Sequence, residues 1–198
     1  MAQPHSYLKL VGHGLTIIPI PPFEISRSSE LEIPLVVKRE GSSIVIRYDS
    51  DRVDSELVDV SAGPDEPWRL VTSLYTLSWP KDFAIVSSPT PDVPPGFDLV
   101  GPDQSLIYLQ GPLAIERVRH GEQLAAPGQK MIENRVFGTI ERVWFEYRFG
   151  GEEYFQVHHL VSVEDRVLMI TLQVLATMCD DDLLKKVMAF ANSLEPYQ

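Results

Sequence analysis

Hydrophobic and polar residues alternate through three consecutive segments near the end of the chain: 140–149 (IERVWFEYRF), 153–163 (EYFQVHHLVSV) and 166–175 (RVLMITLQVL). Alternation with period two belongs to strands, because neighbouring side chains point to opposite faces of a sheet. The period then changes. Leu183, Leu184, Val187, Phe190, Ala191 and Leu194 recur at three- and four-residue spacing, which makes an apolar stripe on a helix. Asp180, Asp181 and Asp182 precede that stripe; carboxylates there cap free N–H groups and suit the positive end of the helix dipole. The pattern predicts a three-stranded antiparallel meander closed by an amphipathic helix from 180 to 194.

The turns set the register, since a slip of one residue inverts every side chain. Between the first two strands, a two-residue loop would pair Phe145 with Gln156 and Tyr147 with Tyr154. A three-residue loop, Gly150-Gly151-Glu152, aligns Tyr147 with Phe155, Phe145 with Val157 and Val143 with His159. The second choice puts apolar beside apolar and is the one expected. The next turn, Glu164-Asp165, pairs Val161 with Leu168, His159 with Ile170, Val157 with Leu172 and Phe155 with Val174. Together they predict one apolar face against the helix and one open face of mixed character.

The remainder is also rich in strand signals. Residues 31–39 and 44–49 flank Glu40-Gly41-Ser42-Ser43 and read as a β-hairpin, with Pro34 placing its first strand at an edge. Pro19, Pro21 and Pro22 confine GLTIIPIPPFEI to an edge or an extended arm. Residues 50–68 look like a solvated connection, suggesting a boundary near 70. Strands follow at 73–79, 83–88 and 105–111; 89–102 is a proline-rich loop and 112–133 reads as loop with a short helix.

Composition narrows the function class. The 198 residues carry a formal charge of −11, with 28 Asp+Glu against 17 Lys+Arg. That balance opposes nucleic-acid binding, which needs cations to displace counterions from phosphates. Cys179 is the single cysteine and has no internal partner for a disulfide, so a reducing compartment is expected. The first residues lack the features of a secretory signal. No apolar run approaches the roughly 18–20 residues that span a bilayer. The expectation is a cytoplasmic protein with no membrane insertion.

Over residues 72–195 the pattern resembles the Mog1/PsbP-like fold. The matching parts are TLSWPKDFAIVSS (strand, W-P, strand), SLIYLQGP, the meander, and VLMITLQVLATMCDDDLLKKVMAFANSLEP. The resemblance implies an α/β (α+β) fold in which an antiparallel sheet packs against helices, with residues 1–70 as a β-rich N-terminal extension bearing a hairpin and 71–198 as the family domain. Members are mostly non-enzymatic and include small-GTPase-binding proteins, photosystem extrinsic subunits, lipoproteins and a DcrB-like group with chaperones of type VI secretion effectors. The acidic character is similar to that chaperone branch and implies a bacterial cytoplasmic protein.

No P-loop, dinucleotide fingerprint, nucleophile elbow or zincin motif occurs in the chain. His158-His159 cannot both ligate one ion from a regular strand, because neighbours point apart. The Asp180–Asp182 run lacks the glycine and alternating oxygens of a calcium loop, and three carboxylates near Cys179 oppose its ionisation. No cofactor, metal or catalytic residue is assigned. The open face is expected to bind a protein partner through Trp144, Glu146, Arg148, Tyr154, Gln156, His158, Leu160, Met169 and Gln173. The expected function is a non-enzymatic protein-binding module, a dedicated chaperone or adaptor of a secretion system, with homodimerisation compatible. Two alternatives stand beside it: a small-molecule carrier or enzyme with a pocket near His158, Glu146 and loop 89–102, and an immunity protein whose acidic surface occludes a basic toxin.

Overall fold

A computed structural model describes residues 8–27, 35–39, 42–46, 58–88 and 96–196. It is a β-protein: 57% of it is strand and 15% helical, with one α-helix. The α/β (α+β) architecture expected from the sequence, a sheet packed against helices, does not hold. The physical reason lies in the first hundred residues. Their short β-prone runs pair with one another as strands instead of forming an arm and a solvated connection beside a helix-on-sheet domain.

The chain divides into two compact units, Met1–Val100 with Glu195–Gln198, and Gly101–Leu194. The first unit contains β1 (Lys9–Gly12), β2 (Leu15–Pro19), β3 (Glu24–Arg27), β4 (Leu35–Arg39), β5 (Ser42–Ile46), β6 (Val58–Ala62), β7 (Arg69–Val71), β8 (Tyr75–Ser78), β9 (Ala84–Ser87) and β10 (Phe97–Val100). The expected hairpin is present as β4–β5, with Lys38 opposite Ser43. β4 is not an edge strand, since it also pairs with β3; Pro34 itself lies outside the described residues. Likewise β2 is flanked by β1 and β6 rather than lying at an edge. Residue 70, where a boundary was expected, lies inside β7, between β1 and β8. Trp68 and Trp79 are buried with their rings tilted edge-on at 6.3 Å, and the Trp79 indole N–H donates to the Phe83 carbonyl at 2.8 Å. Arg27 lies over the Trp79 ring at 4.7 Å.

The second unit contains β11 (Leu106–Ala114), β12 (Lys130–Phe137), β13 (Ile140–Phe149), β14 (Glu152–Val163), β15 (Arg166–Leu175) and α1 (Asp181–Asn192). Their order across the sheet is β12-β13-β14-β15-β11, all neighbours antiparallel. The chain's last strand, β16 (Glu195–Pro196), belongs to the first unit and pairs with β8. The helix begins as its aspartates predict. The Asp180 side chain accepts a hydrogen bond from the Leu183 N–H at 2.8 Å, and Val187, Phe190 and Ala191 are buried while the helix lies along β14.

The β14–β15 register agrees with the sequence reading pair for pair, from Phe155–Val174 to Val161–Leu168. The β13–β14 register does not. Tyr147 faces Tyr154, Phe145 faces Gln156 and Val143 faces His158. Here the two-residue turn wins. Gly150 and Gly151 have φ of 61° and 89°, the pair of positive values that a type I′ hairpin needs, and such a turn matches the twist of the flanking strands. The turn's chemistry overrides the apolar matching that favoured three residues. Every side chain of β13 consequently lies on the face opposite to the one expected.

Candidate functional site

Residues directly opposite across antiparallel strands share a face, so the registers assign every side chain of the second unit. One face holds Val143, Phe145 and Tyr147 of β13, Tyr154, Gln156, His158 and Leu160 of β14, Val167, Met169, Thr171 and Gln173 of β15, and Tyr108 of β11. The other holds Arg142, Trp144, Glu146 and Arg148 with Phe155, Val157, His159 and Val161. The nine residues expected on one open surface are therefore divided. Trp144, Glu146 and Arg148 stand on the tryptophan face, whereas Tyr154, Gln156, His158, Leu160, Met169 and Gln173 stand on the tyrosine face.

Neither face is simply open. In β14 five consecutive residues, Val157 to Val161, are buried, which requires cover on both sides. On the tyrosine face part of that cover is the segment following β11. Val118, Leu124, Ala125 and Met131 pack against the buried cluster of Val143, Phe145, Leu160 and Val167. The sequence reading took this segment for loop with a short helix. It forms short 3-10 turns at Ile115–Arg117 and Gly121–Leu124 and is tied down by polar contacts. The Gly121 N–H donates to Glu141 at 3.1 Å, and the Ile115 N–H donates to the Asp165 carbonyl at 3.1 Å.

Beyond this cover the tyrosine face becomes half-exposed and changes chemistry. The Tyr147 and Tyr154 rings stack at 5.5 Å. The Gln156 amide donates to the Tyr108 hydroxyl at 2.7 Å and accepts from Gln129, whose own carbonyl oxygen accepts from the Ala126 N–H at 2.8 Å. Gln173 sits opposite Gln156, and its amide makes no hydrogen bond among the described residues. Burial, with the neighbouring Tyr108 and Tyr154 phenols, raises the Tyr147 pKa. This end of the face is a patch of three phenols and three amides, bordered by the Glu152 carboxylate, which accepts from the Tyr154 hydroxyl at 3.3 Å. Period-two reading could not find it, because Tyr108 and Gln129 enter from outside the three-strand meander.

His158 borders the patch but is buried, its Nδ1 2.9 Å from the Thr171 hydroxyl and its ring edge-on to Phe145 at 5.7 Å. Loss of solvation lowers its pKa to about 4. His159 points the other way and is fully buried; burial first, then the Arg142 and His158 charges, bring it to about 4 against a weak opposing pull from the Ile170 backbone. Among the described residues neither His159 ring nitrogen has a hydrogen-bond partner. Both imidazoles are neutral at pH 7. Glu146 and His158 lie on opposite faces, so the pocket expected around that pair does not form from them; of loop 89–102, residues 89–95 lie outside the described residues. No family matches this chain, and no curated protein is similar to it.

Trp144, on the far face, meets Phe155 edge-on at 5.2 Å, and its buried indole N–H has no acceptor among the described residues. Cys179 is driven up to about 11 by burial and by Asp180 and Asp181, which keeps it a thiol. Among the described residues no three His, Cys, Asp or Glu side chains are gathered to hold a metal ion. No helix there is long and apolar enough to cross a membrane.

Proposed function

We propose that this protein is a non-enzymatic binding module that holds a segment of a protein partner on the tyrosine–glutamine end of the second unit. The observation that carries the reading is the cluster of phenols and amides formed by Tyr108, Tyr147, Tyr154, Gln129, Gln156 and Gln173, with a single carboxylate, Glu152, at Tyr154. Stacked phenols offer rigid contact area at low entropic cost, and Tyr is enriched where proteins dock. Side-chain amides both donate and accept, which suits the N–H and C=O groups of a polypeptide. The Gln173 amide, which makes no hydrogen bond among the described residues, and the half-exposed phenols are ready for such a partner. Chaperone or adaptor work is the narrower form of this reading, supported by the sequence resemblance alone.

A photo-crosslinking residue placed at Tyr154 in the expressed protein should give discrete adducts with a polypeptide. The same residue at Arg148, exposed on the other face, should not. Once a partner is captured, Tyr147→Ala and Tyr154→Ala should each weaken binding by about 1–2 kcal/mol, roughly 5- to 30-fold, as aromatic anchors do. Equal labelling from both faces, or unchanged affinity in both variants, would refute the assignment.

A further inference from the structure

The sheet of the second unit ends in an edge strand that mixes charged and exposed apolar residues. Among the described residues β12 pairs only with β13, over eight residues, so its outer backbone groups are available to another strand. Proteins usually blunt such edges with charge, proline or a short length. β12 carries Lys130, Glu133, Arg135 and a bulge, yet also exposes Ile132 at 47%, Val136 at 72% and Phe137 at 41%. Its bulge falls between Met131 and Glu133, and the ladder from Glu133 to Phe137 is regular.

We infer that β12 is an interface for a second copy of this chain, the two β12 strands pairing antiparallel about a two-fold axis at Asn134. The argument is one of complementarity. A two-fold axis perpendicular to the sheet keeps facing residues on the same side, and neighbours along a strand point to opposite sides. The centre must then fall on a residue. Centring on Glu133 sets two carboxylates against each other, and centring on Arg135 sets two guanidinium groups together; like charges directly opposite destabilise a sheet. Centring on Asn134 does neither. It places Glu133 opposite Arg135 of the second copy, twice by symmetry, within the regular stretch of the ladder beyond the bulge at Ile132. Met131, on the far side of the bulge, packs inward against the Phe145 cluster, and Phe137 lies against Arg142, so neither takes part in the pairing.

The charges are already near their required places. Glu133 accepts from Arg142 on β13 and forms an ion pair with Arg135 of its own chain at 3.0 Å. Arg135 is 64% exposed, so turning it to the opposite copy disrupts no buried contact. Asn134 is exposed and neutral, and its amide can both donate and accept at the axis. The surface is distinct from the tyrosine–glutamine patch and does not depend on that patch's role.

Sedimentation of the full chain should show a species of twice 22.3 kDa that grows with concentration. Arg135→Glu alone and Glu133→Arg alone should each raise the dimer dissociation constant by about ten-fold or more, since each faces like charges twice. Mixing the two variants should restore association, because each strand then faces its opposite. Glu133→Arg also removes a partner of Arg142, so a second probe covers its misfolding. In the Cys179→Ser background, Asn134→Cys should crosslink under mild oxidation, as Cα atoms about 4.5–5.5 Å apart at a facing pair suit a disulfide; Arg135→Cys should not. A wild-type monomer at every concentration overturns the proposal and leaves the edge to a different protein's strand. So does a dimer indifferent to Arg135→Glu, or crosslinking at 135 in preference to 134.

Discussion

His158 and His159 are adjacent in the chain and buried on opposite sides of one sheet, which gives a simple residue pair control over acid stability. Both have folded pKa values lowered from about 6.5 to about 4. The unfolded chain therefore binds protons that the folded chain refuses, and stability rises with pH through this window. It is fully present above the unfolded value near 6.5 and is lost as pH falls from there toward 4, on the order of 2–3 kcal/mol per histidine if both follow these shifts. Denaturation midpoints should fall between pH 7.5 and 5. The double variant His158→Gln, His159→Leu should show a flatter profile over that interval, where most carboxylates stay ionised. An unchanged slope would mean that the imidazoles are hydrated and titrate normally. Alternation along β14 correctly sent the two side chains apart; burial of both required the cover over the tyrosine face, which alternation cannot report.

At the scale of elements, turn chemistry and edge exposure decide what the sequence discloses. The helix was legible because Asp180 and its apolar stripe agree, and the β14–β15 register because its two-residue turn and its hydrophobic matching agree. At Gly150-Gly151 those signals conflict, and the turn prevails. β12 was missed outright. Its residues are mostly exposed, so it lacks the alternation that marks a half-buried strand. The turn can be tested directly. Gly150→Asn should be tolerated, since Asn accepts positive φ at the first position of a type I′ turn. Gly151→Val should cost about 1–2 kcal/mol, because a β-branched residue resists the φ of 89°. Equal costs for the two would favour a three-residue loop after all. The same correction divides the expected binding surface, since β13 brought Trp144, Glu146 and Arg148 into the list on the assumption of the longer loop.

For the molecule as a whole, depth in the sheet should order local stability. In the second unit β14 and β15 are interior strands, each paired on both sides, and they carry its most continuous burial: Val157 to Val161 and Ile170 to Leu172. Opening them exposes apolar area on two faces, at on the order of 1.5–3 kcal/mol per large side chain. β12 has one neighbour and little buried area. Amide hydrogen exchange follows such differences, from near zero at frayed edges to the global unfolding free energy in the core. Amides of 157–161 and 170–172 should therefore exchange last in this unit and those of 133–137 early. Raising protein concentration should slow 133–137 while leaving 157–161 unchanged, because association at β12 covers only the outer backbone of that strand. Uniform slowing across the unit would instead indicate that association stabilises the entire unit, and concentration-independent exchange at 133–137 would deny that the edge is covered by a second copy.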